Sequence, residues 1–377
     1  MTLQRGRSGF LWGRLPLPAT QLHMAGPAVV RPATSFASGL ASDHDRYSYP
    51  GERPHGSFVV LGDDVFPLRW DRGEWLVTTR DGSVSPLSTW LGRHGQPSLD
   101  QRAAILAYGS NVNPGQIGGF SGGRAVIVLH ASTVGLAATF CSTTRWDGQH
   151  PAGVMAVDAE RVEVHGLLLV DDDQVAALDR KEGHGARYRR VVASGQRHSV
   201  AVVLEDGRAI IDEIVVYVQL AERPLALVGG APAHLTEWTQ EDFASAERTE
   251  TQDHGLAIAS SGARRPLAAR ALPVFVYGTL RPGESRWPLI RDVVESVEEA
   301  TLLGRVVDTG RGYPALLLDG SGTVPGVLVH LAPEADIRAL TVMDEIEAHP
   351  TLYVRALVRL SDGRLAWTYV WNDGGTM

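Results

Sequence analysis

Two glutamates recur in this 377-residue sequence in matching surroundings. A carboxylate is well suited to taking a proton from one atom and returning it to another. Glu182 lies in Leu178-Asp179-Arg180-Lys181-Glu182-Gly183-His184, and Glu347 in Met343-Asp344-Glu345-Ile346-Glu347-Ala348-His349. Each is placed at the C-terminal end of an apolar-faced helix, where the helix dipole disfavours negative charge. Partial burial there would raise the carboxyl pKa towards the range that acid–base work near neutrality needs. Taken singly, either Glu reads as a solvated residue beside a turn, and recurrence is what argues for a role. Asp179 and Asp344, three residues earlier, read as structural hydrogen bonders to backbone. His184 and His349 read as surface-turn residues.

A second recurring feature precedes each glutamate. Ile105-Leu106-Ala107-Tyr108-Gly109-Ser110-Asn111 and Val274-Phe275-Val276-Tyr277-Gly278-Thr279-Leu280 are both short apolar runs that break at Tyr-Gly. Such a turn exposes consecutive backbone N–H groups, a concavity for a carboxylate or oxyanion. One Tyr-Gly-Ser string alone is an ordinary strand end. Its spacing to Glu is 74 residues in one copy and 70 in the other, and Tyr188 and Tyr353 each follow their Glu by 6. Four features in one order describe an internal repeat. The glycines at 115, 118, 119, 122 and 123 form no phosphate loop, because no Gly-Lys-Ser/Thr follows them.

The elements that position these residues follow a shared plan. An opening strand ends at Tyr-Gly. A later strand begins at Gly166 or Gly326 and leads into a helix. Asp172 or Asp173 caps the first helix. Pro333 opens the second, with Ile337, Leu340 and Met343 as its apolar stripe. Hairpins close both units: Tyr188–Ala193, a strand around Val200–Leu204 and Ile210–Leu220 in the first, and Tyr353–Leu360 with Leu365–Trp371 in the second. This divides the chain into a flexible arm (1–55), a small β accessory segment (56–102), a first unit (103–221), a linker (222–270) with one helix around Leu235–Ala246, and a second unit (271–377). The accessory strands Phe58–Leu61, Val65–Arg69 and Trp75–Thr79 are too few to stand alone and are expected to pack on the first unit.

Composition bounds the function. The charge of -8 argues against a nucleic-acid partner. No apolar run is long enough for a membrane helix, and Phe10-Leu11-Trp12 is too short for a signal-peptide core. A soluble cytoplasmic protein is expected. The single cysteine, Cys141, excludes a disulfide framework and a thiolate zinc cluster, and reads as strand packing. Lys181 is the only lysine, so Schiff-base chemistry has one place to occur.

Tyr-Gly-Ser/Thr-Asn/Leu, then Leu-Asp-x-x-Glu-Gly, then Tyr-x-Arg resembles the gamma-glutamylcyclotransferase superfamily, twice over. The second unit, with Gly312-Tyr313-Pro314-Ala315 and Val324-Pro325-Gly326-Val327, is most similar to the gamma-glutamylamine cyclotransferase-like branch. The first looks more like the branch acting on gamma-glutamyl amino acids. The resemblance implies an α+β fold of two tandem small mixed β-barrels with flanking helices. It also implies a small-molecule gamma-glutamyl substrate and no metal or organic cofactor. Glu182 and Glu347 would be the acid/bases of an intramolecular attack by the substrate α-amine on its γ-carbonyl, releasing 5-oxoproline and an amine or amino acid. Tyr108, Gly109, Ser110 and Asn111 would hold the glutamyl end in one unit, and Tyr277, Gly278, Thr279 and Leu280 in the other. Tyr188 and Tyr353 would be pocket walls or plain core aromatics. The second unit departs from the pattern at Met343 and at Ala348, where glycine is expected. If that position needs φ > 0 the turn carrying Glu347 is strained, so Glu182 is the stronger candidate. The alternatives are a binding or scaffold protein with one or both pockets inactive, and gamma-glutamyl transfer or deprotection in the same pocket.

Overall fold

The computed structural model describes residues 38–44, 49–51, 54–71, 73–159, 161–310, 313–332 and 335–372. Residues 1–37, Gly312, Pro333 and the side chain of Ile337 lie outside the described residues.

Five strands of the first unit lie side by side in the order Val126–Val134, Val162–Val170, Ala103–Ala107, Ile214–Gln219, Tyr188–Gly195. The second unit repeats that order with Val294–Leu303, Thr323–Leu331, Val274–Val276, Leu365–Trp371 and Tyr353–Arg359. In both, the strand ending at Tyr-Gly has one antiparallel neighbour and one parallel neighbour. The parallel partners are Leu106 with Val216, and Val274 with Trp367. The opening strand of the first unit is apolar at every position because the sheet is covered on both faces. Ala104, Leu106 and Tyr108 enter one core cluster, and Ala103, Ile105 and Ala107 the other.

Closed barrels were expected, and the strand pairings are open. Neither five-strand order returns to its first strand. In the first unit both edges are taken by added strands. Ser57–Leu61 pairs with Val126–Val128 and continues through Asp64–Asp71, Glu74–Thr78 and Val84–Pro86. Leu256–Ser261 pairs with Tyr188–Gly195 on the other side.

The reading of 222–270 as a linker is corrected. Leu225–Val228, Ala231–Pro232 and Thr249–Thr251 form a three-stranded sheet, and Leu256–Ser261 joins the main one. Phe243, on a short helix Gln240–Ser245 capped by Thr239, stacks on Phe140 at 4.4 Å. Its polar, Gly- and Pro-rich composition reflects short edge strands and turns rather than a free connector. The arm assigned to 1–55 also ends in ordered structure: Gly39–Leu40 pairs with Asp64 and Val65, and Tyr49 packs into the first unit.

Smaller corrections concern element ends. The strands assigned to Gly166 and Gly326 begin earlier, at Val162 and Thr323. Asp171, not Asp172 or Asp173, caps the first helix, accepting from the Gln174 N–H at 3.0 Å while the Gln174 side chain accepts from the Asp171 N–H. Tyr188–Gly195 pairs with Ile214–Gln219, whereas Ala201–Leu204 hairpins with Arg208–Ile211. Cys141 is fully buried, and burial pushes its thiol up to about 12. Among the described residues no helix is long and apolar enough to cross a membrane, and no three His, Cys, Asp or Glu side chains are grouped for a metal ion.

Candidate functional site

The Tyr-Gly turn and the distant glutamate meet in one hollow in each half. A cavity of about 410 Å³ is lined by Tyr108, Gly109, Ser110, Asn111, Glu182 and Tyr188. A second cavity, about 30 Å³, is lined by Tyr277, Gly278, Thr279, Leu280, Glu347 and Tyr353. Every expected site residue therefore borders its own pocket.

The turns are built for close approach. A Cβ on Gly109 would lie 2.9 Å from the Tyr49 hydroxyl oxygen, and one on Gly278 3.0 Å from Pro314 Cγ. Directly after Gly109 the chain enters a 3₁₀ turn, Ser110–Val112, whose first N–H groups have no partner within it. The two helices end at the glutamates: Asp172–Glu182 closes on Gly183, and Asp336–Ile346 on Glu347. Gly183 has φ 64°, and Ala348 occupies the equivalent left-handed position at φ 49°.

A matched frame of hydrogen bonds holds each helix end. The Tyr108 hydroxyl donates to the Tyr217 carbonyl at 2.6 Å, and Tyr277 to that of Tyr369 at 2.8 Å. The Tyr188 hydroxyl donates to the Ala152 carbonyl at 2.7 Å, and Tyr353 to that of Pro314 at 2.6 Å. Burial raises all four phenols, so they stay protonated as donors. Asp179 accepts from Arg190 and from the Tyr217 hydroxyl, and Asp344 from Arg355 and the Tyr369 hydroxyl. Both aspartates are structural, with side-chain donors in place of the backbone donors expected. His184 is exposed, while His349 Nδ1 accepts from the Arg355 N–H at 3.1 Å and is no free surface group.

The glutamates themselves are held differently. Asn111 Nδ2 donates to Glu182 Oε1 at 2.7 Å. Leu280 cannot do this, and Glu347 instead faces Arg286, Nη1 to Oε1 at 3.4 Å. Glu347 is 8% exposed; burial raises its carboxyl, with Arg286 opposing.

Several lining residues carried no pattern in the sequence. Tyr49 accepts from the Ala152 N–H at 2.8 Å, and Arg145 lies over its ring. Arg145, Lys181, Arg187 and Arg223 give the first pocket four cations against Glu182. Arg187 and Arg223 have no carboxylate at ion-pair distance among the described residues, and Arg223 sits 5.3 Å over the Tyr188 ring. In the second pocket Arg286 and Tyr369 are the unforeseen members. Tyr313 and Pro314 of the Gly-Tyr-Pro-Ala motif line it too, with Pro314 close over Gly278.

Comparison with known proteins completes the description. A family model described as gamma-glutamyl cyclotransferase, AIG2-like, matches residues 274–376. The gamma-L-glutamyl-butirosin B gamma-glutamyl cyclotransferase of Niallia circulans is 34% identical over 119 residues, 29% of this chain and 73% of that protein. AIG2-like protein C of Arabidopsis thaliana is 30% identical over 105 residues, 27% of this chain and 60% of its own length. Among solved structures, an AIG2-like protein from Mus musculus matches at 22% identity and TM-score 0.22, over 28% of this chain and 79% of its own. YkqA from Bacillus subtilis matches at 16% identity and TM-score 0.23, over 72% of this chain and 84% of its own. The chain belongs to the gamma-glutamyl cyclotransferase, AIG2-like family.

Proposed function

We propose that the protein is a tandem cyclotransferase that cleaves gamma-glutamyl compounds by internal cyclisation. The substrate's α-carboxylate sits on the N–H groups of a Tyr-Gly-Ser/Thr turn, which brings its α-amine beside the glutamate. The glutamate takes a proton from the α-ammonium, the freed nitrogen attacks the γ-carbonyl, and the C–N bond to the leaving amine breaks. The glutamate returns that proton to the departing nitrogen, and the second proton shed by the attacking nitrogen as it becomes the lactam N–H also leaves with the amine, which departs as an ammonium. Nucleophile and electrophile share one molecule, so the protein supplies orientation and a proton shuttle.

One observation carries this reading: a single carboxylate and a Tyr-Gly turn, 74 or 70 residues apart in sequence, line a common cavity in both halves. Arg187 and Arg223, which line the first pocket, favour a leaving group that bears an anion, such as an amino acid. A specific contrast supports a half-catalytic alternative. The second hollow is far smaller than the first, about 30 Å³ against about 410 Å³, and its acid is already engaged by Arg286. On that reading Glu182 turns over and Glu347 only binds.

Incubation of the purified chain with gamma-glutamyl amines and dipeptides, with detection of 5-oxoproline, tests the proposal. Glu182→Gln and Glu347→Gln, singly and together, assign the turnover. Undiminished product from the double variant would remove the acid–base role. Free glutamate or a new amide in place of 5-oxoproline would point to transfer or deprotection instead.

A further inference from the structure

We infer that the turn Glu205–Arg208, which belongs to the first half, positions Glu347 in the second pocket through Trp367, Arg355 and Asp344. The inference rests on the reading above, in which Glu347 is a working acid.

The turn joins Ala201–Leu204 to Arg208–Ile211 and carries Gly207 at φ 89°. The Gly207 carbonyl accepts from Trp367 Nε1 at 2.7 Å, and the Trp367 side chain is 1% exposed. A buried indole N–H that loses its acceptor bears the full desolvation cost. The Arg355 guanidinium carbon lies 5.0 Å from the Trp367 ring centroid. Arg355 Nη1 donates to Asp344 Oδ2 at 3.0 Å, and the Tyr369 hydroxyl to Oδ1 at 2.8 Å. The Asp344 carbonyl accepts from the His349 N–H at 2.8 Å, closing the turn that carries Glu347. The Gly207 turn touches helix and arginine together: a Cβ added there would lie 2.9 Å from Leu340 Cδ1 and 3.1 Å from Arg355 Nη2.

The first half solves the same problem with another segment. Arg190 binds both oxygens of Asp179 at 3.0 Å, and its Nη1 donates to the carbonyls of Gly262, at 3.1 Å, and Ala263. In both halves, then, the Asp–Arg–Tyr trio behind the glutamate is anchored by chain outside the five-strand core. For the second pocket that chain comes from the other half. Trp367 and Gly207 are positioning residues, and their loss should relax the placement of the acid more than the binding of the substrate.

The test uses the full chain carrying E182Q, so that 5-oxoproline can come only from the second pocket, with and without W367F or G207A. W367F is expected to lower kcat about tenfold, the rate equivalent of one buried hydrogen bond, and G207A, whose Cβ would crowd Leu340 and Arg355, to lower it by a similar factor. KM should stay within about twofold. The same changes in an E347Q chain should leave first-pocket kcat unaltered. Hydrogen exchange is followed in parallel and should quicken about tenfold over residues 343–349, with residues 178–184 unaffected. Unchanged kcat and exchange in both variants overturns the inference, as does an equal fall in both pockets. If the E182Q chain releases no 5-oxoproline but residues 343–349 still loosen, the buttress stands and the catalytic reading of Glu347 fails.

Discussion

Exchanging one residue at the end of each glutamate-bearing helix should shift stability in opposite directions. Ala348 is held at φ 49°. A left-handed backbone costs an L-residue roughly 1–2 kcal/mol. Glycine would remove that cost but gives back about 0.4–1 kcal/mol through a more disordered unfolded chain. Ala348→Gly should therefore stabilise the second half by about 0.5–1 kcal/mol. In the first half the exchange runs the other way and meets a second obstacle. A Cβ on Gly183 (φ 64°) would lie 2.5 Å from Arg187 Nε, whose guanidinium donates to the Lys181 carbonyl at 2.7 Å. Backbone strain and a displaced arginine together put Gly183→Ala at about 1.5–2 kcal/mol destabilising. Urea unfolding of the full chain, with hydrogen exchange over residues 178–184 and 343–349 to locate each effect, measures both. The activity assay adds a directional check, because Arg187 lines the first pocket: Gly183→Ala should slow it, whereas Ala348→Gly leaves it alone. A destabilising Ala348→Gly, or a freely tolerated Gly183→Ala, would refute the reasoning.

Three further outcomes follow from charge. Arg286→Met removes the cation that opposes burial at Glu347, so that carboxyl rises further. The folded state then keeps a proton that the unfolded state releases, and the variant should lose stability relative to the parent as pH climbs from about 4.5 towards neutrality. A stability gap that narrows over that range would contradict it. At Asp179 burial acts upward, but hydrogen bonds from Arg190 and Tyr217 outweigh it and hold the carboxyl below its ordinary value of 3.8. Its stabilisation is present above that value and lost as pH falls, so the penalty of Asp179→Asn should shrink in acid denaturation series below about pH 3.8. Burial pushes Lys181 down to about 8. An amine-acylating reagent should therefore modify it near pH 8, as one adduct on the peptide containing Lys181, and block the first pocket while sparing the second.

Much of this site was legible because its chemistry is local and repeated. Tyr-Gly followed by a hydroxyl residue is a short string whose role depends on adjacent backbone, whereas the Asp three before each Glu was visible as a string but its Arg and Tyr partners were not. Their recurrence at near-equal spacing marked Glu182 and Glu347 together. Ala348 showed the limit of this reasoning in a useful way, since the exception to the pattern correctly located a left-handed backbone position. Tyr49, Arg145 and Arg223 were invisible because each reaches its pocket across long sequence separation, and Arg286, though it folds back on the nearby Thr279 carbonyl, lies like them in a segment with no period of its own. The open sheets were missed for a related reason. Alternating or continuous apolar runs reveal that a strand is buried, but not which edges are filled by strands from elsewhere. Strand Leu256–Ser261 has a mostly exposed face, and its composition therefore matched a connector.

That strand bears on how the chain can be divided. A boundary drawn at residue 221, where the repeat itself ends, would strip Tyr188–Gly195 of its outer neighbour and take the Gly262 and Ala263 carbonyls from Arg190. Arg270–Ala271, at the threshold of the second copy, still pairs with Arg208–Ala209 of the first. Fragments intended for separate expression would have to overlap through this stretch, and excising it as a spacer would damage the half it was thought merely to join.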